Sequence, residues 1–143
     1  MICLGIESTA HTLGIGIIND KGEILSNKKH TLETETGGIH PIKAAQAHEL
    51  FYDSLIRSAL KESKLTMKDI DLISFSQGPG LGQCLRRGAV IARSLSLLYD
   101  IPIIGVNHCV GVGSGHDALV LGLQACGLKK GQKVIAPAMT FIS

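Results

Sequence analysis

The sequence predicts an α/β fold in which helices cover a mixed β-sheet. Three short apolar segments joined by tight turns open the chain, and they predict an antiparallel meander. Two segments with apolar residues at every third or fourth position then alternate with two short apolar runs, so the predicted order is βββαβαβ. A meander followed by alternating helices and strands forms a mixed sheet with helices on its faces.

The three strands of the meander are predicted over residues 2–6, 12–18 and 23–26. Between the second and third lies Asn19-Asp20-Lys21-Gly22, which has the residue types of a hairpin turn. A polar stretch follows the third strand and ends at Gly37-Gly38-Ile39-His40-Pro41, where the proline can open a helix at its first turn.

The two helices are predicted over residues 41–64 and 83–99, because apolar residues recur there at helical spacing. Buried strands are predicted over residues 70–75 and 102–106. The helical residues expected to face the core are Ala44, Ala47, Phe51, Leu55, Ala59, Ile91, Ala92, Leu95 and Leu98.

Composition indicates a folded protein of the reducing cytosol. The 143 residues are 45% hydrophobic and 18% charged, which is typical of a globule with its own core. Four cysteines without C-x-x-C spacing favour neither a disulfide framework nor a zinc ribbon. We found no signal peptide and no apolar run near the roughly 20 residues of a membrane span, so we expect a cytoplasmic protein without membrane contact. The net charge of +2 does not by itself indicate nucleic acid, and local basic residues are interpreted as solvated surface.

Two short motifs are candidates for binding phosphate. The turn Glu7-Ser8-Thr9 can offer hydroxyl and backbone N–H donors, although an ordinary hairpin turn uses the same residue types. The loop Gly78-Pro79-Gly80-Leu81-Gly82 joins a strand to a helix, where unpaired N–H groups and the helix dipole attract anions. It is neither a Walker A loop nor a G-x-G-x-x-G motif, so the loop alone identifies no nucleotide.

His108 follows the last strand and is the candidate metal ligand. A metal site needs several ligands, so His108 requires partners elsewhere. The alternative is a histidine with a purely structural role.

Residues 1–110 resemble the N-terminal lobe of the tRNA threonylcarbamoyladenosine transferase family, in its archaeal and eukaryotic (KEOPS-type) form. The resemblance is carried by a series of motifs in order and at family-like spacing. They are residues 5–17, residues 37–41 with Ala44, Ala45 and His48, residues 73–82, and residues 102–109.

The resemblance implies a ribonuclease-H-like lobe of the actin-like ATPase superfamily. It implies transfer of a threonylcarbamoyl group from its ATP-derived adenylate to the tRNA adenosine beside the anticodon, with one divalent metal ion, iron or zinc. The implied partners are tRNA and the KEOPS subunits, a kinase-like ATPase and small helper subunits. His108 would be a metal ligand, and no catalytic residue is assigned. The residues implied for the nucleotide cleft are Ser8, Thr9, Gly78, Gly80 and Gly82.

The metal motif of that family, H-x-x-x-H, is incomplete in this chain. It begins at His108, but the second position holds Val112, which cannot bind a metal. His116 lies one turn further on and would substitute only if the helix continued through Gly113 and Gly115, which we do not expect.

Residues 109–143 resemble an internal piece of a DegT-like PLP-dependent sugar aminotransferase, over residues 111–119 and 126–142. The Schiff-base lysine and pyridinium-binding aspartate of that family lie beyond this piece, so we expect neither PLP nor aminotransferase activity. The junction near residue 110 fits a recombined or frameshifted gene, an engineered chimera or a misassembled sequence.

We therefore expect two domains, residues 1–110 and an aminotransferase-like tail over residues 111–143. Because the second lobe of the transferase is absent from these residues, we expect no transfer activity from the chain alone. Two alternatives stay open at this point, a non-catalytic KEOPS-binding module and a fragment of a PLP-dependent aminotransferase.

Overall fold

The computed structural model describes residues 1–34 and 37–106. Their elements follow the predicted order βββαβαβ, with a one-turn 3-10 helix before the fourth strand. In chain order they are β1 (Ile2–Glu7), β2 (Thr12–Asn19), β3 (Ile24–Thr31), α1 (Pro41–Ser63), the 3-10 helix (Met67–Asp69), β4 (Leu72–Ser76), α2 (Gly82–Tyr99) and β5 (Ile103–Val106).

The five strands form one mixed sheet in the order β3-β2-β1-β4-β5. β2 pairs antiparallel with both β1 and β3, as expected of a meander. β4 runs parallel to β1 and to β5, so the carboxyl ends of these three strands lie at the same edge of the sheet. The predicted mixed sheet is confirmed.

Both helices cover the same face of the sheet. α1 contacts β2 and β3, whereas α2 contacts β4 and β1, and the two helices also contact each other. Because strand side chains alternate between faces, every second residue of the central strands is buried beneath the helices. These core residues are Leu4, Ile6, Leu13, Ile15, Ile17, Ile73 and Phe75.

β3 is longer than predicted, since it continues beyond Ser26 to Thr31. Its second half is polar, and an apolar-run criterion therefore misses it. β3 pairs with β2 as far as Thr12 opposite Thr31, and Lys28 Nζ contacts Glu62 Oε1 of α1 at 2.7 Å. Backbone pairing and this ion pair hold a polar strand in place without an apolar face of its own.

The predicted inward faces of the helices are correct for most positions but not for Leu98. Ala44, Ala47 and Ala59 are buried, as are Ile91 and Ala92. Leu98 is 72% exposed, because it lines a groove between α1 and α2 on the side away from the sheet. Helical spacing alone does not distinguish this outer groove from the core.

Residue contacts divide the chain into two units, Met1–Cys109 and Val110–Ser143. The predicted tail, residues 111–143, lies outside the described residues. Within the part of the chain that is described, none of the helices is long and apolar enough to cross a membrane.

Candidate nucleotide-binding site

The two predicted phosphate-binding motifs lie side by side at one edge of the sheet. β1 and β4 are parallel neighbours, so the turn after β1 and the glycine loop after β4 emerge together. The Leu81 N–H donates a hydrogen bond to the Thr9 carbonyl oxygen at 2.7 Å. A Cβ on Gly80 would lie 2.9 Å from Thr9 Cα and 3.0 Å from its carbonyl carbon, and nearer still to the oxygen. Only glycine fits at position 80 with the turn in this position.

Ser8 faces the interior and not the edge where these two motifs meet. Its backbone N–H donates to Ser76 Oγ at 3.0 Å, which ties the turn to the end of β4. Its side chain is fully buried, and its hydroxyl has no hydrogen-bond partner among the described residues. Gly88 of α2 lies directly over it, and a Cβ on Gly88 would overlap the Ser8 hydroxyl. The donors that this turn can present to a ligand are therefore those of Thr9.

Both donors of Thr9 are directed at the carboxylate of Glu7. The Thr9 N–H lies 2.6 Å and the Thr9 Oγ1 2.5 Å from the same Glu7 Oε1. Glu7 belongs to the turn motif predicted from the sequence, but no role was predicted for its carboxylate. The i, i+2 spacing of an acidic residue and a threonine in a tight turn was the available signal, because such side chains bond the local backbone.

The amino terminus of α2 lies next to the Thr9 turn. The helix begins at Gly82 after Leu81, which contributes no capping side chain, and its first turn carries no acidic residue. The first N–H groups of such a helix have no intrahelical acceptor and attract anions. Gly78 and Gly82 each face open space, since a methyl group added at either position would have no heavy atom within 4 Å. The loop therefore leaves room for a ligand to approach its backbone.

A cavity of about 330 Å³ lies along the sheet face that the helices do not cover and reaches the carboxyl ends of β1 and β4. Among its lining residues the charged side chain is that of Glu7, and the other polar groups are amide and hydroxyl. The residues that line it are Gly5, Ile6, Glu7, Gly14, Ile15, Gly16, Asn27, Ser74, Phe75, Ser76 and Val106.

His48 of α1 is fully buried close to the turn after β1. Neither ring nitrogen has a well-formed hydrogen bond among the described residues. Burial lowers the pKa of His48, and this effect outweighs the Ala10 backbone and the Glu7 carboxylate, which both raise it. Burial therefore favours the neutral form of the His48 imidazole, which lies beneath the turn after β1.

The predicted metal site cannot be located in the described residues. Over residues 1–34 and 37–106, no group of three or more His, Cys, Asp or Glu side chains is arranged to hold a metal ion. His108, Val112 and His116 all lie outside this range. The incomplete H-x-x-x-H motif therefore remains a prediction from sequence.

Comparison with known proteins decides the family. The family model of tRNA N6-adenosine threonylcarbamoyltransferase matches residues 23–118, which is more than half of the chain. The chain belongs to the tRNA N6-adenosine threonylcarbamoyltransferase family. The resemblance predicted for residues 1–110 is confirmed.

Curated members of the threonylcarbamoyltransferase family are similar over the same part of the chain. The enzyme of Thermococcus sibiricus is 56% identical over 110 residues, which cover 77% of this chain and 34% of the relative. That of Ignicoccus hospitalis is 49% identical over 108 residues, covering 76% and 33%. A "Probable bifunctional tRNA threonylcarbamoyladenosine biosynthesis protein" of Methanosphaera stadtmanae is 55% identical over 111 residues, covering 78% and 21%. The chain thus spans about a third of the length of the transferases that it matches.

Solved structures share the fold at low sequence identity. YeaZ from Pseudomonas aeruginosa superposes with a TM-score of 0.60 at 16% identity, over 74% of this chain and 42% of that one. A second structure, described as similar to peptidase YeaZ from the same organism, gives a TM-score of 0.56 at 16% identity, over 74% and 43%. The predicted α/β fold of the lobe, a mixed sheet with the element order βββαβαβ, is confirmed.

The end of the chain matches a second family model. The model of the DegT/DnrJ/EryC1/StrS aminotransferase family matches residues 102–143, which overlap the transferase match over residues 102–118. The predicted resemblance of the tail is therefore confirmed at the level of sequence.

Proposed function

We propose that residues 1–110 are the N-terminal nucleotide-binding lobe of a tRNA threonylcarbamoyltransferase. The reaction would transfer a threonylcarbamoyl group from its adenylate, made from ATP, to a tRNA adenosine beside the anticodon. The observation that carries the proposal is the contact between the Thr9 turn and Gly80, which brings two anion-binding elements to one edge of the sheet. Family membership supports the reaction, and this geometry supports binding of the adenylate at this edge.

The phosphate of the adenylate would lie between the Thr9 turn and the amino terminus of α2. The uncapped N–H groups of the first turn of α2, which begins at Gly82, would donate to phosphate oxygens. Gly78 and Gly82 leave the loop open to a ligand, while Gly80 holds the loop against the turn. Buried Ser8 positions β1 beneath α2 and would not touch the ligand.

A divalent metal, iron or zinc, belongs to the same proposal, with His108 as one ligand. Imidazole nitrogen is a common ligand of both metals. The described residues contain no group of three or more His, Cys, Asp or Glu side chains that could hold a metal ion, and the second position of the family motif holds Val112. A cytoplasmic location is also proposed, because the substrate is tRNA.

Nucleotide binding by the 143-residue chain tests the proposal. We expect a non-hydrolysable ATP analogue to shift the NMR amide signals of Thr9, Gly80 and Gly82, while Gly22, in the distant β2–β3 turn, stays unchanged. Unchanged signals at all three positions at millimolar ligand would contradict the proposal. In a tRNA threonylcarbamoyl-transfer assay we expect no turnover from this chain alone, because it spans about a third of the length of its relatives.

A second candidate function is a non-catalytic module that docks on KEOPS subunits. The groove between α1 and α2 favours it, since this groove of about 430 Å³ exposes apolar side chains between charged ones. Leu98 is 72% and Val90 52% exposed there, beside the ion pair of Arg87 with Glu49 at 2.9 Å. Apolar surface between polar rims is typical of protein-binding surfaces.

Pull-down of purified helper subunits by the chain tests the docking function. The substitution Leu98→Asp should reduce capture at least about tenfold without lowering stability, because this side chain is exposed. Ser94→Asp, at another groove-lining position without an apolar side chain, is the matched control. Equal capture by the parent chain and by Leu98→Asp would exclude this groove.

A further inference from the structure

β5 forms one edge of the sheet and presents backbone groups there to another strand. Within the part of the chain that the structure describes, its one neighbouring strand is β4. The carbonyl oxygens of Pro102 and Val106 accept hydrogen bonds from the β4 side. Because alternate residues of a strand direct their backbone groups to opposite sides, Ile103 and Gly105 direct theirs away from β4. The edge therefore offers two N–H groups and two carbonyl oxygens to a further strand.

Both faces of β5 expose apolar side chains. Ile103 is 36%, Ile104 52% and Val106 41% exposed. Ile103 pairs with the buried Ile73, so it lies on the face that the helices cover, whereas Ile104 and Val106 lie on the other face. A strand added at this edge would therefore bury apolar surface on both faces of the sheet.

The opposite edge of the sheet, β3, is protected against such pairing. It carries Lys28 and Lys29, and its register with β2 shifts between Ile17 and Ile18. Lysines and β-bulges are devices by which natural proteins keep edge strands from pairing with other chains. β5, with the sequence Ile-Ile-Gly-Val, has no charged side chain and keeps a regular register with β4. Of the two edges, β5 is therefore the one open to another strand.

The β5 strand is complementary to a second copy of itself in the antiparallel direction. With Ile104 opposite Ile104 of the second copy, Ile103 of each chain lies opposite Gly105 of the other. These are the residues whose backbone groups point outward, so each pair exchanges both of its hydrogen bonds, four in all. Ile104 meets its counterpart as an apolar cross-strand pair. The contact is two-fold symmetric, as in the commonest homo-oligomers.

We propose that the β5 edge is a self-association site, at which two copies of the chain join their sheets through antiparallel pairing of β5 with β5. The inference goes beyond the proposed nucleotide binding and does not depend on it. Four residues bury far less than the roughly 800 Å² per partner of a stable interface. The expected dissociation constant is therefore high, on the order of 0.1–1 mM.

Sedimentation equilibrium of the 143-residue chain between about 20 µM and about 2 mM tests this association. For the parent chain we expect the weight-average mass to rise at least about 1.5-fold over this range. For Ile104→Lys we expect a rise below about 1.1-fold, because like charges would lie directly opposite each other. Ile24→Lys, at an exposed apolar position on the β3 edge, is the matched control and should behave like the parent.

A mixture of two charged variants tests the register of the pairing. Ile104→Glu alone should stay monomeric, whereas an equal mixture of Ile104→Lys and Ile104→Glu should recover the rise in mass, because opposite charges then face each other. No recovery in the mixture, or a rise for Ile104→Lys equal to that of the parent, would overturn the proposed pairing. Loss of association in Ile24→Lys would also overturn it, since the added charge would then act regardless of its position.

Amide hydrogen exchange of the parent chain decides without any variant. The N–H groups of Ile103 and Gly105 should exchange at least about twofold more slowly at the higher concentration than at the lower. Those of Ile104 and Val106, which face β4, should not change. A constant mass at all concentrations would overturn the inference. Equal protection of Ile103 and Gly105 at both concentrations would do so too, because the edge would then be paired within one chain.

Discussion

Gly80 lies directly against the backbone of Thr9, with too little space between them for a single methyl group. The Leu81 N–H strengthens this contact through its hydrogen bond to the Thr9 carbonyl. The turn after β1 and the loop after β4 therefore act as one unit, although about seventy residues separate them in the chain. A change at Gly80 should be felt at Thr9.

Gly80→Ala should both destabilise the lobe and weaken nucleotide binding. The new Cβ would overlap the Thr9 backbone, which cannot move aside as a flexible side chain can, and overpacking of this kind costs about 1–3 kcal/mol. Gly82→Ala is the control, since its methyl meets open space at the start of α2. Urea unfolding monitored by circular dichroism measures the stability of both variants, and the NMR titration with the ATP analogue measures nucleotide binding by Gly80→Ala. Equal stability of the two variants would contradict the close contact.

Gly88→Ala should destabilise the lobe through a different neighbour, the buried side chain of Ser8. A Cβ at position 88 would overlap the Ser8 hydroxyl, so we expect a loss of about 1–3 kcal/mol even though alanine favours helices. Ser8→Gly removes the obstructing atoms, and the double variant should therefore recover part of the loss. A double-mutant cycle measures the coupling. Strictly additive effects would show that Gly88 and Ser8 do not meet.

His48 should make the lobe less stable as the pH falls through the range of histidine titration. Burial lowers its folded-state pKa below the ordinary value of 6.5, so the unfolded chain binds the proton first. The contribution of His48 is complete above that value and is lost as the pH falls through the folded-state pKa. In urea unfolding, His48→Asn should reduce the change of the unfolding free energy with pH between about pH 7.5 and 5. His40→Asn, at an exposed position, should keep it, and an unchanged slope in His48→Asn would contradict the assignment.

Glu62 should make the unfolding free energy depend on pH in a second, lower pH range. Hydrogen bonds from Lys28 first and Ser26 second hold the pKa of Glu62 below its ordinary value of 4.5. Its stabilisation is therefore present above that value and is lost as the pH falls through the folded-state pKa. Lys28→Met should weaken this loss in unfolding experiments below about pH 5, whereas Lys29→Met, at an exposed neighbouring position, should not. Parallel pH profiles for the two variants would rule out the pairing of Lys28 with Glu62.

Most of the fold could be predicted because its signals are local. Apolar alternation marks β1 and β2, and the helical spacing from Pro41 onward marks α1. The second half of β3 could not be predicted, since its order comes from pairing with β2 and from the contact of Lys28 with Glu62. The prediction that Leu98 faces the core was wrong, because helical spacing does not distinguish the core from the exposed groove between α1 and α2.

The candidate site divides in the same way. By itself the sequence determined the order of the elements, the two motifs with phosphate-binding chemistry and the family, because each depends on residues close together in the chain. The tertiary structure decided that Gly80 meets Thr9, that Ser8 faces the interior and that Glu7 occupies the donors of Thr9. These relationships depend on which strands are neighbours in the sheet and on the conformation of the turn, and a linear pattern of residue types encodes neither.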